Sequence, residues 1–91
     1  MFQWDLRKAA NNALKHGVSF DEAASVFEDE ALITFLDRDH SLDEDRFITL
    51  GFSQQGRLLL VAHTERGDDT RVISARPATP REERIYVRID R

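Results

Sequence analysis

Two short polar turns that contain glycine divide residues 46–76 into three apolar-rich stretches, and this pattern constrains the fold more than any other feature of the chain. The turns lie at residues 54–56 and 65–69, and the stretches are 46–53, 57–64 and 70–76. Stretches of this length with such short connections pair with their neighbours as antiparallel strands. The sequence therefore predicts an antiparallel meander in its second half.

Two helices are predicted ahead of this meander. Asp5 can cap a helix that runs to about His16, and Gly17 follows as a stop signal, because glycine readily adopts the left-handed conformation just beyond a helix. Ser19 and Glu22 have the spacing of a capping box, in which each side chain binds a free backbone N–H group. They predict a second helix that runs to about residue 29.

The remaining elements complete an α+β fold. Residues 31–36 are predicted to form a strand, residues 1–4 a short edge strand, and residues 37–45 a polar loop. Thr79 and Pro80 have the residue types preferred at the start of a helix, which indicates a short C-terminal helix. We therefore expect a single domain over residues 1–91, with two N-terminal helices packed on a small antiparallel sheet whose other face is partly open.

The composition excludes several classes of protein. A hydrophobic content of 41% and a charged content of 33% are typical of a soluble globular chain. The chain has no cysteine, which excludes disulfides and thiolate metal sites and fits a cytoplasmic protein. No apolar run approaches the ~20 residues that cross a bilayer, and the N-terminus lacks the features of a signal peptide. We predict no membrane association, no metal site and no cofactor.

The charge is distributed unevenly along the chain. Residues 1–45 carry four cationic and eleven acidic side chains, whereas residues 46–91 carry nine arginines, no lysine and six acids. Arginine presents a rigid fork of donors that matches phosphate or carboxylate. Several arginines interrupt the predicted strands, which would place them on a rigid sheet. The overall pI of about 5.3 argues against indiscriminate nucleic-acid binding, so an anion site on this surface must be local.

Pairing the strands in their simplest register suggests a site. Arg46 would lie opposite His63, and the same face would carry Ser74 and Arg76, with Tyr86 approaching from the C-terminal helix. Such a group fits RNA cleavage without a metal: a base removes the ribose 2′-hydroxyl proton, arginines stabilise the phosphorane, and an acid protonates the leaving 5′-oxygen. Alternatively, Arg46 and Arg76 pair with surface acids, and His63 forms local hydrogen bonds within its strand.

The loop at residues 37–45 is interpreted as a solvated acidic loop. Its spacing matches no calcium-binding loop. Its charge could instead dock a basic partner. His40 and Ser41 are not expected to form a nucleophilic triad, because nothing in the sequence fixes their geometry.

Motifs along nearly the whole chain resemble the BrnT family of toxins. They are Phe2-Gln3-Trp4-Asp5, Lys8, Asn12, Lys15-His16-Gly17-Val18-Ser19-Phe20, Asp39-His40-Ser41, Glu44, Arg46, Gly51, Ser53, Gly56-Arg57, Thr64-Glu65-Arg66-Gly67, Val72-Ile73-Ser74-Ala75-Arg76, Ala78-Thr79, Glu82 and Tyr86. The chain departs from the family at Glu30, where proline is frequent, at Asp45, where glutamate is frequent, and at Glu83-Arg84, where a basic residue commonly follows Glu82 directly.

The resemblance implies a RelE-like fold and a ribonuclease toxin of a type II toxin–antitoxin system. Such toxins cut RNA without a metal and are neutralised by a BrnA-like antitoxin, which resembles ribbon-helix-helix proteins and brings the complex to operator DNA. A heterotetramer built around an antitoxin dimer is the expected assembly. The alternatives are a non-catalytic binding module and an inactive toxin homologue.

The resemblance also implies site residues. The catalytic candidates are Arg46, Arg66, Arg76 and Tyr86, to which the strand pairing adds His63. The candidate RNA-binding residues are Lys8, Lys15, His16, Arg71 and Arg81.

Overall fold

The computed structural model describes the backbone of residues 1–90 and the side chains of residues 1–88. Over these residues it is an α+β fold with three helices and a five-stranded sheet. The helices are α1 (Leu6–His16), α2 (Phe20–Ser25) and α3 (Pro80–Asp90). The strands are β1 (Phe2–Gln3), β2 (Ile33–Leu36), β3 (Arg46–Phe52), β4 (Leu58–Arg66) and β5 (Asp69–Pro77). Short 3₁₀ turns lie at Val26–Glu28 and Arg38–His40.

The predicted ends of α1 are confirmed. The Asp5 carboxylate accepts hydrogen bonds from the backbone N–H groups of Arg7 and Lys8 at 2.8 and 3.2 Å. Gly17 has a φ of 68°, a conformation that is strained for other residues, and its N–H group donates to the Ala13 carbonyl. Local sequence signals therefore set both ends of this helix.

The capping box at the start of α2 forms only in part. The Ser19 hydroxyl accepts a hydrogen bond from the Glu22 N–H group, as predicted. The Glu22 carboxylate does not return to the helix but binds the Ser53 hydroxyl and the Arg57 guanidinium. Because the Glu22 side chain is buried against the sheet, it takes these charge-assisted partners instead. Glu22 therefore ties α2 to the β3–β4 turn.

The sheet has the strand order β1-β5-β4-β3-β2. Strands β2 to β5 form the predicted antiparallel meander. Strand β1 pairs with β5 in parallel, so the sheet is mixed and the expectation of a purely antiparallel sheet was wrong. The chain between β1 and β5 includes α1 and α2, and only a crossover of this kind can join parallel neighbours.

The predicted register of β3 and β4 was wrong by one residue. Arg46 lies opposite Thr64, and His63 lies opposite Phe47. The β3–β4 turn explains the difference, because the Ser53 N–H group donates to the Arg57 carbonyl and so sets these two residues opposite each other. A shift of one residue moves every side chain of a strand to the other face. His63 and Arg46 therefore lie on opposite faces of the sheet.

A bulge in β5 changes which of its arginines share a face. Ala62 pairs with Ser74, whereas His63 pairs with Val72, so Ile73 has no partner across the ladder. Arg71 and Arg76 are five residues apart, and regular alternation would place them on opposite faces. The extra residue brings both of them to the same face as Arg46.

The two faces of the sheet are covered unequally. We call the first the closed face, because α1 and α2 pack over it and enclose a core of Val18, Phe20, Ala23, Val26, Leu59, Val61, Val72 and Ala75. The other is the open face, on which α3 covers one end through Tyr86, Leu50 and Leu58. The opposite end of the open face carries Arg46, Thr64 and Arg71. No helix in the described part of the chain is long and apolar enough to cross a membrane.

Candidate functional site

A row of three polar residues crosses the open face of the sheet. Arg46 on β3, Thr64 on β4 and Arg71 on β5 lie opposite one another in the ladder. Adjacent strands are about 4.8 Å apart, so the backbones of Arg46 and Arg71 are ~10 Å apart, with Thr64 between them. The Thr64 hydroxyl is buried and has no hydrogen-bond partner among the described residues. This row therefore places several hydrogen-bond donors within a small area.

The row forms the floor of a cleft with a volume of about 350 Å³, which we call the arginine cleft. Arg66 adds a third guanidinium from the end of β4, and Lys8 adds an ammonium from α1. The remaining wall comes from Ile73 of the bulge and from four residues of the loop before β3, His40, Leu42, Asp43 and Glu44. Four cations therefore surround one concave surface, which suits an anion of phosphate size.

Two contacts place Lys8 at this cleft. Asp5 caps α1, and Lys8 follows in the first turn. Asn12, one helical turn further on, donates to the Ala75 carbonyl at 2.8 Å and accepts from the Ala75 N–H group at 3.0 Å. Residues four apart share a helix face, so the face that carries Lys8 is held against β5.

One of the two carboxylates that line the cleft is paired with an arginine. Glu44 accepts two hydrogen bonds from the Arg66 guanidinium, at 3.1 and 3.2 Å. These bonds, followed by the charges of Arg66 and Arg71, lower the pKa of Glu44 below its ordinary value. No ion pair neutralises Arg46 or Arg71 within the part of the chain that the structure describes. These two guanidinium groups remain available to another anion.

His63 does not line the arginine cleft. It lies on the closed face with 3% of its side chain exposed, and its ring packs edge-on against Phe27 at a centroid distance of 4.9 Å. Its Nδ1–H donates to a Glu65 carboxylate oxygen at 2.6 Å, and its Nε2 accepts from the Thr49 hydroxyl at 2.7 Å. Burial lowers the pKa of His63, opposed by the nearby Glu65. Both ring nitrogens are satisfied, which favours the neutral imidazole in a structural role.

Arg76 lies on the open face but away from the cleft. It is opposite Leu60, four residues from Thr64 along β4, which corresponds to about 13 Å. Its guanidinium donates to both carboxylate oxygens of Glu82 in α3, at 2.9 and 2.8 Å. Hydrogen bonding to Glu82 raises the pKa of Arg76, and the same contact lowers the pKa of Glu82. The alternative of a pair with a surface acid is thus the observed arrangement for Arg76.

Tyr86 and Arg81 also belong to the α3 end of the molecule. The Tyr86 ring is buried against Phe52, and its hydroxyl donates to an Asp29 carboxylate oxygen at 2.6 Å. Arg81 is exposed and lies beside Arg84 and Arg88 on the outer surface of α3. None of these side chains lines the arginine cleft.

Lys15 and His16 occupy the last turn of α1. Lys15 is seven residues beyond Lys8, which corresponds to a rise of about 10 Å along the helix. The structure thus brings together Arg46, Arg66, Arg71 and Lys8 from the predicted set, and leaves the other candidates elsewhere.

His40 lines the arginine cleft, and sequence reasoning missed it. Its Nδ1 is 2.9 Å from an Asp37 carboxylate oxygen. The three-residue spacing of Asp37 and His40 was visible in the sequence, as was the histidine within the motif Asp39-His40-Ser41. What could not be read is that the loop folds over the face that carries Arg46. Thr64 was missed for a related reason, since the register decides which face it occupies.

Comparison with known proteins identifies the family of this chain. Residues 4–82 match the family model described as the ribonuclease toxin, BrnT, of type II toxin–antitoxin systems. This match covers most of the chain. The chain belongs to the BrnT family.

A solved BrnT structure has the same fold. The crystal structure of the Brucella abortus ribonuclease toxin, BrnT, at 1.1 Å resolution, aligns with a TM-score of 0.66 and 23% sequence identity. The alignment covers 87% of this chain and 97% of that one. A search of curated proteins gave no match. The BrnT family consists of ribonuclease toxins, and membership in a type II toxin–antitoxin system implies an antitoxin partner.

Proposed function

We propose that this BrnT-family chain is an endoribonuclease that cleaves RNA without a metal ion and inhibits growth. The observation that carries the proposal is the arginine cleft, where the guanidinium groups of Arg46 and Arg71, which form no ion pair with the described residues, flank Thr64 on a rigid sheet. The membership of the chain in a family of ribonuclease toxins supports RNA as the ligand. The setting for this activity is the cytoplasm.

The proposed chemistry uses the ribose 2′-hydroxyl as nucleophile. Its oxygen attacks the adjacent phosphorus, the bond to the 5′-oxygen breaks, and the products are a 2′,3′-cyclic phosphate and a 5′-hydroxyl. Negative charge grows on the phosphorane oxygens during this step. Arg46 and Arg71 are assigned to that charge, because fixed cations in a preorganised site need no rearrangement when the charge develops. Arginine remains protonated and does not act as the base.

The other cations are assigned to binding. Lys8 and Arg66 would contact the phosphates next to the scissile one, since both line the same cleft. Lys15 and His16 continue along α1, and a bound strand that follows this helix would pass them. Arg81, on α3, would contact RNA only if the strand extends over the open face towards that helix.

The antitoxin is proposed to resemble BrnA. We expect a ribbon-helix-helix dimer that holds two toxin copies in a heterotetramer and carries the complex to operator DNA. An antitoxin that neutralises by blocking RNA must cover the arginine cleft or prevent access to it. Its contact segment would then be acidic, by charge complementarity with the four cations.

The test measures cleavage of single-stranded RNA by the purified chain in the presence of EDTA. We expect fragments with 2′,3′-cyclic phosphate and 5′-hydroxyl ends. An oligonucleotide of the same sequence with 2′-deoxyribose throughout is the matched control, and it should bind without being cut, because it lacks the nucleophile. Expression in cells should arrest growth, and co-expression of the antitoxin should restore it.

Two outcomes would overturn the proposal. Cleavage that disappears in EDTA and returns with added magnesium would contradict metal independence. RNA that stays intact under all conditions, while the chain still binds a protein partner tightly, would favour the non-catalytic binding module.

A further inference from the structure

His40 is held at the arginine cleft by the loop that precedes β3. The 3₁₀ turn Arg38–His40 places the His40 side chain at the cleft, where this side chain is 63% exposed. The base of this loop is joined to β3, because the Asp37 N–H group donates to the Arg46 carbonyl at 2.7 Å and the Arg46 N–H group donates to the Ser41 hydroxyl at 2.9 Å. The backbone that carries His40 is therefore fixed relative to Arg46.

The contact with Asp37 sets the tautomer of His40. A carboxylate only accepts hydrogen bonds, so the His40 Nδ1 at 2.9 Å from the Asp37 oxygen must carry the hydrogen. In the neutral ring the lone pair then resides on Nε2. Nε2 has no hydrogen-bond partner among the described residues. The Asp37 side chain is 14% exposed, so its carboxylate is a sheltered partner for the ring.

We propose that His40 is the general base of the RNA-cleaving site, with Asp37 as its positioning residue. This inference rests on the proposed ribonuclease function and adds the group that moves the proton. Among the residues lining the cleft, His40 is the side chain whose type exchanges a proton most readily near neutral pH. The charged groups that share the cleft with it are Lys8, Asp43, Glu44, Arg46, Arg66 and Arg71.

The step balances without a metal or an oxidant. Nε2 of neutral His40 takes the proton of the 2′-hydroxyl as the 2′-oxygen bonds to phosphorus. The bond from phosphorus to the 5′-oxygen breaks, and a water molecule protonates that oxygen. The hydroxide left behind takes the proton from the His40 imidazolium and restores the neutral ring. Asp37 stabilises the imidazolium between these events, as a carboxylate does in other histidine–carboxylate pairs.

Single variants of both residues test this proposal. For His40→Ala we expect kcat to fall by about 10²- to 10⁴-fold, the usual range for loss of a general base, while the affinity for the 2′-deoxy oligonucleotide stays nearly constant. Added imidazole should restore part of the activity of His40→Ala. For Asp37→Asn we expect a smaller fall in kcat with an unchanged KM. Arg38→Ala and Asp39→Asn are matched controls, since both side chains are exposed on the same turn and neither lines the cleft.

The double variant separates a positioning role from a structural one. If Asp37 acts only through His40, then His40→Ala combined with Asp37→Asn should be no slower than His40→Ala alone. Additive losses would overturn the role of Asp37. If His40→Ala cleaves RNA at the wild-type rate and with an unchanged pH–rate profile, the role of His40 is overturned and the proposed function stands. A wild-type chain that cuts no RNA would overturn both.

Discussion

Two histidine–carboxylate pairs lie on opposite faces of one sheet, and they differ in the exposure and in the hydrogen bonding of the histidine ring. His63 and Glu65 are 2.6 Å apart on the closed face, where the ring is 3% exposed and both nitrogens are bonded. His40 and Asp37 are 2.9 Å apart at the open face, where the ring is 63% exposed. The first pair is enclosed by packing, whereas the second is open to a ligand.

The closed-face pair is part of a longer chain of hydrogen bonds. The Thr34 and Thr49 hydroxyls are 2.9 Å apart, Thr49 donates to His63, and the Thr70 hydroxyl donates to Glu65 at 2.8 Å. Four strands are connected through this chain. Polar groups that satisfy one another inside a protein specify its packing, whereas polar groups left open to a cleft can bind and react. Changes on the two faces should therefore have different consequences.

The largest effect is expected on the open face. Arg46→Ala should lower the rate of RNA cleavage by about 10²- to 10³-fold, the usual cost of removing one donor that stabilises transition-state charge. The melting temperature should change little, because the Arg46 guanidinium forms no ion pair with the described residues. Arg84→Ala on the outer surface of α3 is the matched control. Equal losses in the two variants would contradict the assignment of the cleft.

The next effect is expected on the closed face and concerns stability. His63→Ala removes one of the two hydrogen bonds of the Thr49 hydroxyl and the partner of one Glu65 carboxylate oxygen, and it removes the ring that packs on Phe27. Loss of a partner for buried polar groups costs about 1–3 kcal/mol in the free energy of unfolding. Urea denaturation measures this change. A variant as stable as the wild type would show that the hydrogen-bonded chain contributes little.

A smaller effect follows from pH. Burial lowers the pKa of His63 in the folded state below its ordinary value of 6.5, so between the two values the unfolded chain binds more protons than the folded one. The free energy of unfolding should therefore decrease as pH falls below about 6.5. Glu22 and Glu82 also have lowered pKa values, but their contributions are lost only below their ordinary value of 4.5. Unfolding measured from pH 7 to pH 5.5 isolates the histidine.

His63→Asn is the control for this pH dependence. It keeps a polar side chain but does not titrate, so its stability should vary less with pH over the same range. An equally steep decrease in His63→Asn would assign the dependence to another group.

The smallest effect is expected at the ion pair within the cleft. Glu44 holds Arg66 through two hydrogen bonds, and a bound phosphate would compete for the same guanidinium. Glu44→Gln removes the negative charge and should increase the affinity for RNA several-fold, more at low salt than at high salt. Binding of the 2′-deoxy oligonucleotide at two salt concentrations measures it. Weaker binding in Glu44→Gln would show that Glu44 positions Arg66 for the ligand.

The parts of the fold that depend on local chemistry were predictable from the sequence. Asp5 and Gly17 set the two ends of α1, because a helix cap requires only neighbouring backbone groups. The strands of the meander were also located within one or two residues, because short glycine-containing turns leave few alternatives. The family resemblance, confirmed by the match over residues 4–82, was readable because its motifs keep their order and spacing.

The site was predictable only in part, since it depends on which face each strand residue occupies. The turn contact between Ser53 and Arg57 sets the register of β4, and a bulge at Ile73 sets the face of Arg71. Neither has a clear signal in the order of apolar and polar residues. The proposed role of His40 depends on that register as well, because the register decides which strand side chains lie on the open face beside the loop that carries His40.

The two hydrogen bonds between the Asn12 amide and the Ala75 backbone also protect one edge of the sheet against strand addition. Strand β1 covers only two residues of β5, at Thr70 and Arg71, and leaves the rest of that strand without a neighbour on one side. The Asn12 amide binds both the N–H and the C=O of Ala75, as a neighbouring strand would. Exposed strand edges are templates for aggregation, and a helix that covers one removes the template. The other edge of the sheet is β2, where uncontrolled strand addition should begin when this protein is concentrated.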